Sequence, residues 1–402
     1  MDVTPPLTMK VALGGYGERM SRPATGVHDR IWAKALVLQD AGLRRAIVTA
    51  DVLAFPPGLR DAVAQELAGD GWRPEDILLL ASHSHTSFDL MALNPKNTFR
   101  LAPLGIFQPE ARAFLVNRLA EAVRAAGRTN QAVSVASGVR ALPGWNRNRR
   151  SGQGVTDPDL TLTRVDSAAG HPLAILVNWT AHPTFLDPRH MDFSGDWPGH
   201  LQRTLESLVG RGVTVLFYNG AEGDQSPTPR PNGGSAWEQA EVYGRDLALE
   251  AWRVWLDLRP QPNPEFAWQS GRFALPARSA HVDFKKTGGA EYGLTDDNIG
   301  VLLEAVCPTE TVTTAVRLGD LMIAGVPGEM ASGLGLGLKS EVRRLTGVKH
   351  VAVGGLANEW VGYLLSPEEY RRGGYEASMS FYGETAGPAV VTAVGKVAAQ
   401  LK

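Results

Sequence analysis

Hydrophobic and polar positions along the chain follow two alternating rhythms. Short apolar runs with strand character are interleaved with longer stretches where apolar residues recur every three to four positions. "AKALVLQD" (33–40) and "RRAIVTAD" (44–51) flank the turn residues Ala41 and Gly42 and read as a strand pair. "PGLRDAVAQELAGDG" (57–71) has helical spacing, with Pro57 near its start and Gly69 and Gly71 at its close. "DILLLAS" (76–82) reads as a buried strand, "EARAFLVNRLAEAVRAAG" (110–127) as an amphipathic helix and "AVSVASGV" (132–139) as a strand. Further on, "TLTRVD" (161–166), "PLAILVNW" (172–179) and "VTVLFYN" (213–219) predict strands, with a helix over 200–210. The longest helix is predicted over 236–258, followed by a hairpin of "TTAVRLG" and "LMIAGVP", a helix over 330–346, the strand "KHVAVGGLAN" and a closing helix from 386.

Strands mixed with helices in this way predict an α/β fold with helices flanking the sheet. The hairpins at 33–51 and 313–326 make the expected central sheet mixed rather than purely parallel. A single catalytic domain spanning residues 1–402 is expected, with 259–298, rich in Pro, Gly and charge, as a linker or inserted flap.

Composition changes this picture mainly by exclusion. With 44% hydrophobic and 20% charged residues, the chain has ample apolar content for a core. A net charge of −2 gives no electrostatic case for nucleic acid or an anionic membrane surface. No apolar run approaches the roughly 20 residues that span a bilayer. The N-terminus lacks the basic head and apolar stretch of a secretory signal, so a cytoplasmic location is expected. The lone Cys307 excludes an internal disulfide framework and any cysteine-rich zinc site. A metal would have to be held by His, Asp, Glu or Tyr.

Candidate chemistry gathers where strands should end. "SHSH" supplies His83 and His85, "LVNWTAHPT" His182, and "VLFYNGAEGDQSP" Glu222, Asp224 and Ser226; "IAGVPGE" supplies Glu329, and "VGGLANEWVGY" Asn358, Glu359 and Tyr363. Taken singly, each has an ordinary reading: a satisfied core histidine, a helix-end carboxylate, a packed aromatic or a serine cap. Taken together, they lie where open α/β sheets bind ligands, outside the carboxyl ends of strands. Two or three imidazoles plus a carboxylate, with a position left for water, is a catalytic zinc arrangement. In the absence of sulfur ligands, zinc is the first candidate among divalent metals.

Seven segments in order resemble the catalytic N-terminal domain of the neutral (non-lysosomal) ceramidase family. They are "GGYGERMSRPATGVHDRIWAKALVL" with Gly26 and His28, "SHSHTS", "SGDWPGH" (194–200), "GDQSP" (223–227), "PGE" (327–329), "ANEWVGY" (357–363) and "SPEEYRRGGYEAS" (366–378). The likeness runs from about residue 8 to residue 390. It implies one zinc ion held by His83, His182, Glu329 and Tyr363, with His85 facing the substrate carbonyl or its oxyanion. It further implies Tyr375 beside the scissile amide, Arg147 holding the carbonyl or a carboxylate, and Ser226 matching a serine given a nucleophilic role. Zinc-bound water is the competing nucleophile and the favoured one, because Ser226 has no dedicated base at obvious spacing.

The expected activity is zinc-dependent hydrolysis of a linear, lipid-like amide by a bacterial protein, with a small-molecule or lipid-like amide as substrate, no nucleic-acid partner and no integral membrane segment. The alternatives are a non-catalytic binding homologue and a metal-free serine hydrolase using Ser226. Departures from the family concern substrate. Phe88-Asp89-Leu90 replaces a Gly-Pro-Gly, Trp360 stands where tyrosine is frequent, and residues 230–300 have no counterpart. No C-terminal β-sandwich domain is expected in this chain.

Overall fold

Alternation within the apolar runs decides how the layers stack. In the computed structural model, which describes residues 1–40, 42–150 and 154–401, there are three principal sheets rather than one. Ala41, assigned to the first turn, lies outside the described residues. The first sheet joins β1 (Ala33–Asp40), β2 (Leu43–Ala50) and β3 (Ile77–Ala81), antiparallel and then parallel. The second contains β4 (Val133–Ala141), β5 (Asp159–Ser167), β6 (Pro172–Trp179) and β7 (Thr214–Asn219) in the order β7-β6-β5-β4, with only β6 and β7 parallel. The third runs β8 (Phe266–Ala274), β9 (Glu310–Leu318), β10 (Leu321–Gly325), β11 (His350–Gly354), parallel only at its last pair. All three sheets are therefore mixed, as the hairpins predict.

Successive side chains on a strand point to opposite faces. Leu78 and Leu80 of β3, Leu176 of β6, Leu216 of β7 and Ile323 of β10 face inward and meet in one shared core. Their neighbours Leu79, Ile175, Phe217 and Met322 face outward into three separate clusters. Each outer face is closed by helices: α1 (Leu59–Glu66) and α2 (Pro109–Ala126), α3 (Asp196–Val209) and α4 (Ala236–Asp257), α5 (Ser332–Thr346) and α6 (Ala386–Ala398). Burial on both faces is why "DILLLAS" shows no polar alternation. Each fully buried Leu or Ile contributes roughly 1.5–3 kcal/mol. At the start of α4, the Ser235 hydroxyl accepts from the Glu238 N–H while the Glu238 carboxylate accepts from the Ser235 N–H, a reciprocal cap that ends the preceding loop.

The stretch expected as a linker or flap divides in two. Gln261–Pro262 pairs with β4, and β8 is the edge strand of the third sheet. The remainder carries two short helices, Gly288–Glu291 and Asp296–Val306, which run over a cavity at the carboxyl ends of the strands. No described helix is long and apolar enough to cross a membrane.

Candidate metal centre and active-site cavity

Each candidate side chain follows the carboxyl end of a different strand: His83 after β3, His182 after β6, Glu222 after β7, Glu329 after β10 and Asn358 after β11. The sheets thus deliver polar groups from distant parts of the sequence to one place. His83 adopts a left-handed backbone (φ 70°), uncommon for a residue other than glycine, and its N–H is held by the Val52 carbonyl.

The imidazole orientations are set by backbone. His83 donates its Nδ1–H to the Leu53 carbonyl at 2.7 Å, and His182 donates its own to the Glu222 carbonyl at 2.8 Å. In both rings this leaves Nε2 with a free lone pair, the tautomer a metal requires. Those Nε2 atoms lie 3.4 and 3.1 Å from one oxygen of Glu329, Oε2. The other oxygen, Oε1, accepts from the Trp360 indole N–H at 2.8 Å. The Tyr363 hydroxyl stands 3.5 Å from His182 Nε2. His83, His182, Glu329 and Tyr363 are all buried.

His85 differs from the other two. Its Nε2 is 3.3 Å from His83 Nε2, but its Nδ1 has no hydrogen-bond partner among the described residues. Its ring packs against Tyr16, and Gly15 lies beneath it with φ +86°. A Cβ at residue 15 would fall 2.3 Å from His85 Nδ1, so only glycine fits there.

Electrostatics follow from this crowding. Burial alone would raise the Glu329 carboxyl, but His83 and His182 overturn that and hold it well below the usual carboxylate range. Burial, reinforced by Arg149, draws His182 down to about 3. Burial, with His83 and His182 beside it, also holds His85 well below its ordinary value, so both rings are neutral at pH 7. Burial and then Glu329 push the Tyr363 phenol well above its usual range. Ligand atoms of His83, His85 and His182 lie within 4.8 Å of one another, as do those of His83, Glu222 and Glu329. This donor set of imidazoles and carboxylates without thiolate fits zinc or another borderline divalent cation.

Arg147 and Arg149 are placed differently. Arg147 is exposed, on a short strand where it opposes Ser226. Arg149 instead reaches the site: its Nη2 donates to the Tyr363 hydroxyl at 2.9 Å and to the Gly223 carbonyl, and its Nε to Glu376 at 2.8 Å. Its guanidinium carbon lies 6.0 Å from the centre of the Tyr375 ring, which itself stands 6.0 Å from the Tyr363 ring. The sequence "NRNRR" offers two Asn-Arg pairs, and only the side-chain partners separate them. The Asn146 amide, beside Arg147, is spent on the Asp157 and Thr180 carbonyls. Ser226 is half-buried, does not line the cavity and makes no hydrogen bond to the described histidines.

Other motif residues build the frame. The Asn358 side chain accepts from the Leu79 N–H and donates to Thr314, tying the first sheet to the third. Asp224 accepts from Asn148, Gln225 and Ser332. Trp197, from "SGDWPGH", donates its indole N–H to the His182 carbonyl. The contacts of Trp360 with Glu329 and of Glu376 with Arg149, and the part of 283–306 in the cavity wall, were not read from the sequence. Their partners lie tens to hundreds of residues away, and nothing local marks them.

Above the polar cluster opens a cavity of about 830 Å³, counting its mouth. His83, His85, Glu329, Tyr363 and Tyr375 form its polar part; Leu53, Leu90, Met91, Leu104, Met379 and Phe381 form much of its apolar wall. Tyr292, Leu294, Leu302 and Val306, from the segment over the cavity, complete that wall. This lining, apolar walls over a polar base, suits an organic ligand with an apolar part.

A sequence profile of the neutral/alkaline non-lysosomal ceramidase N-terminal domain matches residues 1–232 and 301–392. The chain is 23% identical to the neutral ceramidase of Pseudomonas aeruginosa over 458 residues, covering 93% of this chain and 67% of that protein. It is 22% identical to the neutral ceramidase of Mycobacterium tuberculosis over 485 residues, covering 96% and 74%. The crystal structure of the Pseudomonas aeruginosa enzyme superposes with a TM-score of 0.86 at 20% identity, over 100% of this chain and 73% of that one. A ceramidase complexed with C2 superposes with a TM-score of 0.84 at 19% identity, over 100% and 74%. At such identities the superpositions speak for the fold, while the profile match covers most of the chain: it belongs to the neutral/alkaline non-lysosomal ceramidase family.

Proposed function

We propose that this protein is a zinc-dependent hydrolase of a linear amide bearing an apolar chain, an N-acyl sphingoid base or a related lipid-like amide. The observation that carries this reading is the convergence of His83, His182, Glu329 and Tyr363 at the base of an apolar cavity. These four residues would hold the ion. When bound, zinc supplies Lewis acidity to a carbonyl and lowers the pKa of water from about 15.7 to about 7.

The chain's own groups supply the rest. The apolar wall takes up the hydrocarbon and excludes water, which strengthens every charge interaction within. Backbone carbonyls fix the tautomers of His83 and His182, and the Trp360 N–H fixes the Glu329 rotamer, so the donors are preorganised. His85, neutral and lining the cavity, can donate a hydrogen bond to the substrate carbonyl or its oxyanion. Arg149, anchored by Glu376 and carrying a fixed positive charge beside Tyr363 and Tyr375, stabilises the developing oxyanion. Water is the attacking group in this reading, because Ser226 has no side-chain base among its described hydrogen-bond partners to activate it.

The test is to count zinc in the purified protein and follow hydrolysis of N-acylsphingosines with and without a chelator. About one zinc per chain, and turnover abolished by chelation and restored by zinc, is the expected result. Chelator-resistant turnover that Ser226→Ala abolishes would sink it.

A further inference from the structure

We infer that Glu222 is a further oxygen donor to the metal, giving the centre two carboxylates rather than one. The inference rests on the metal reading proposed above. Glu222 is completely buried, yet neither carboxylate oxygen has a hydrogen-bond partner among the described residues. Buried carboxylates are normally paired, hydrogen-bonded or bound to a cation.

The main chain of Glu222 is already committed, its carbonyl accepting from His182 Nδ1–H. Its side chain is placed with His83 and Glu329, all three offering ligand atoms within 4.8 Å. Two atoms each about 2.1 Å from one zinc ion lie at most about 4.2 Å apart, so a small rotamer adjustment closes the set. Space for the carboxylate is provided by Gly355, where a Cβ would stand 2.7 Å from Glu222 Oε2 and 2.0 Å from the Gly220 carbonyl oxygen.

Charge supports the same conclusion. A second carboxylate beside Glu329 is repulsive unless a proton or a cation relieves it, and a cation lets both groups stay ionised. The nearby arginine, Arg149, is engaged with Glu376, Gly223 and Tyr363 instead. A divalent ion facing Glu222 and Glu329 is balanced by two negative charges. The resulting donor set is richer in oxygen than a three-histidine site, and suits harder cations better.

The experiment compares wild type with Glu222→Gln, and with Glu222→Met in case the amide is not tolerated. Zinc affinity is measured by chelator competition, and the unfolding temperature of the metal-free proteins is recorded alongside. The expected result is a 10- to 100-fold loss of zinc affinity, with metal-free variants unfolding at or above the wild-type temperature because an unpartnered buried carboxylate is gone. Wild type binding zinc, with variants within twofold of it, overturns the inference and leaves the proposed function standing. A loss of affinity accompanied by a fall in metal-free stability assigns Glu222 a merely structural role and also overturns it. Wild type binding no zinc overturns both readings together.

Discussion

The floor and the wall of the cavity are built by opposite strategies. On the floor, every described donor except His85 and Glu222 is pinned: His83 by Leu53, His182 by Glu222 and Gln225, Glu329 by Trp360, Arg149 by Glu376. The wall is held mainly by packing, and part of it comes from a segment, 283–306, mostly outside the family match. A polar donor needs direction, and direction requires a partner for its second atom. An apolar wall needs only volume, which many side chains can supply. Chemistry and specificity are therefore separable here, and the comparison predicts what each kind of change does.

The largest effect is expected on the floor. His83→Ala should reduce bound zinc well below one per chain and lower kcat/KM for amide hydrolysis by about 10³-fold or more, read by metal analysis and steady-state kinetics. Wild-type zinc content in that variant would break the comparison at its base.

Next comes a carboxyl set in the wall. Burial pushes Asp89 up to about 7 from 3.8, while its Oδ1 still accepts from the Ala92 N–H. A carboxyl raised in the folded state contributes its full stabilisation below pH 3.8 and loses it as pH rises through about 7. Relative to Asp89→Asn, wild type should therefore lose up to about 4 kcal/mol of stability between pH 4 and pH 8, measured by urea denaturation. Parallel profiles would show that the wall is wetter than its neighbours imply.

Arg149→Ala should lower kcat by about 10²-fold, whereas Arg147→Ala should leave kcat within about threefold of wild type. Equal losses would erase the distinction between an anchored and an exposed guanidinium. The smallest effect belongs to the wall: Leu302→Trp should raise KM for long-chain amides about tenfold, and leave N-acetyl amides nearly unchanged. A matched loss on both substrates would mean that the segment over the cavity shapes catalysis as well as fit.

Much of this was legible in the sequence for a physical reason. His83, His182 and Glu329 each lie just beyond the end of a buried apolar run, a local pattern that marks them, whereas Tyr363 opens a short strand of its own and was read as a ligand only through the family resemblance. The flanking helices and hairpins appear within a few residues of their predicted bounds because their periodicity is strong. Arg149 could not be separated from Arg147, since both follow an asparagine and only Glu376, more than 220 residues away, distinguishes them. The division into three sheets was equally hidden: an inward Leu78 and an outward Leu79 look alike until their neighbours are known. β8 was overlooked because Gly271 and the polar residues of "FAWQSGRFA" weaken its strand pattern.

The shared core of the three sheets has a mechanical consequence. Leu78, Leu176, Leu216 and Ile323 brace each sheet against the other two. Displacing any one sheet would therefore separate its donor from those carried by the other two. Leu302 and Val306 of the Asp296–Val306 helix, by contrast, wall the cavity without belonging to any of the three sheets.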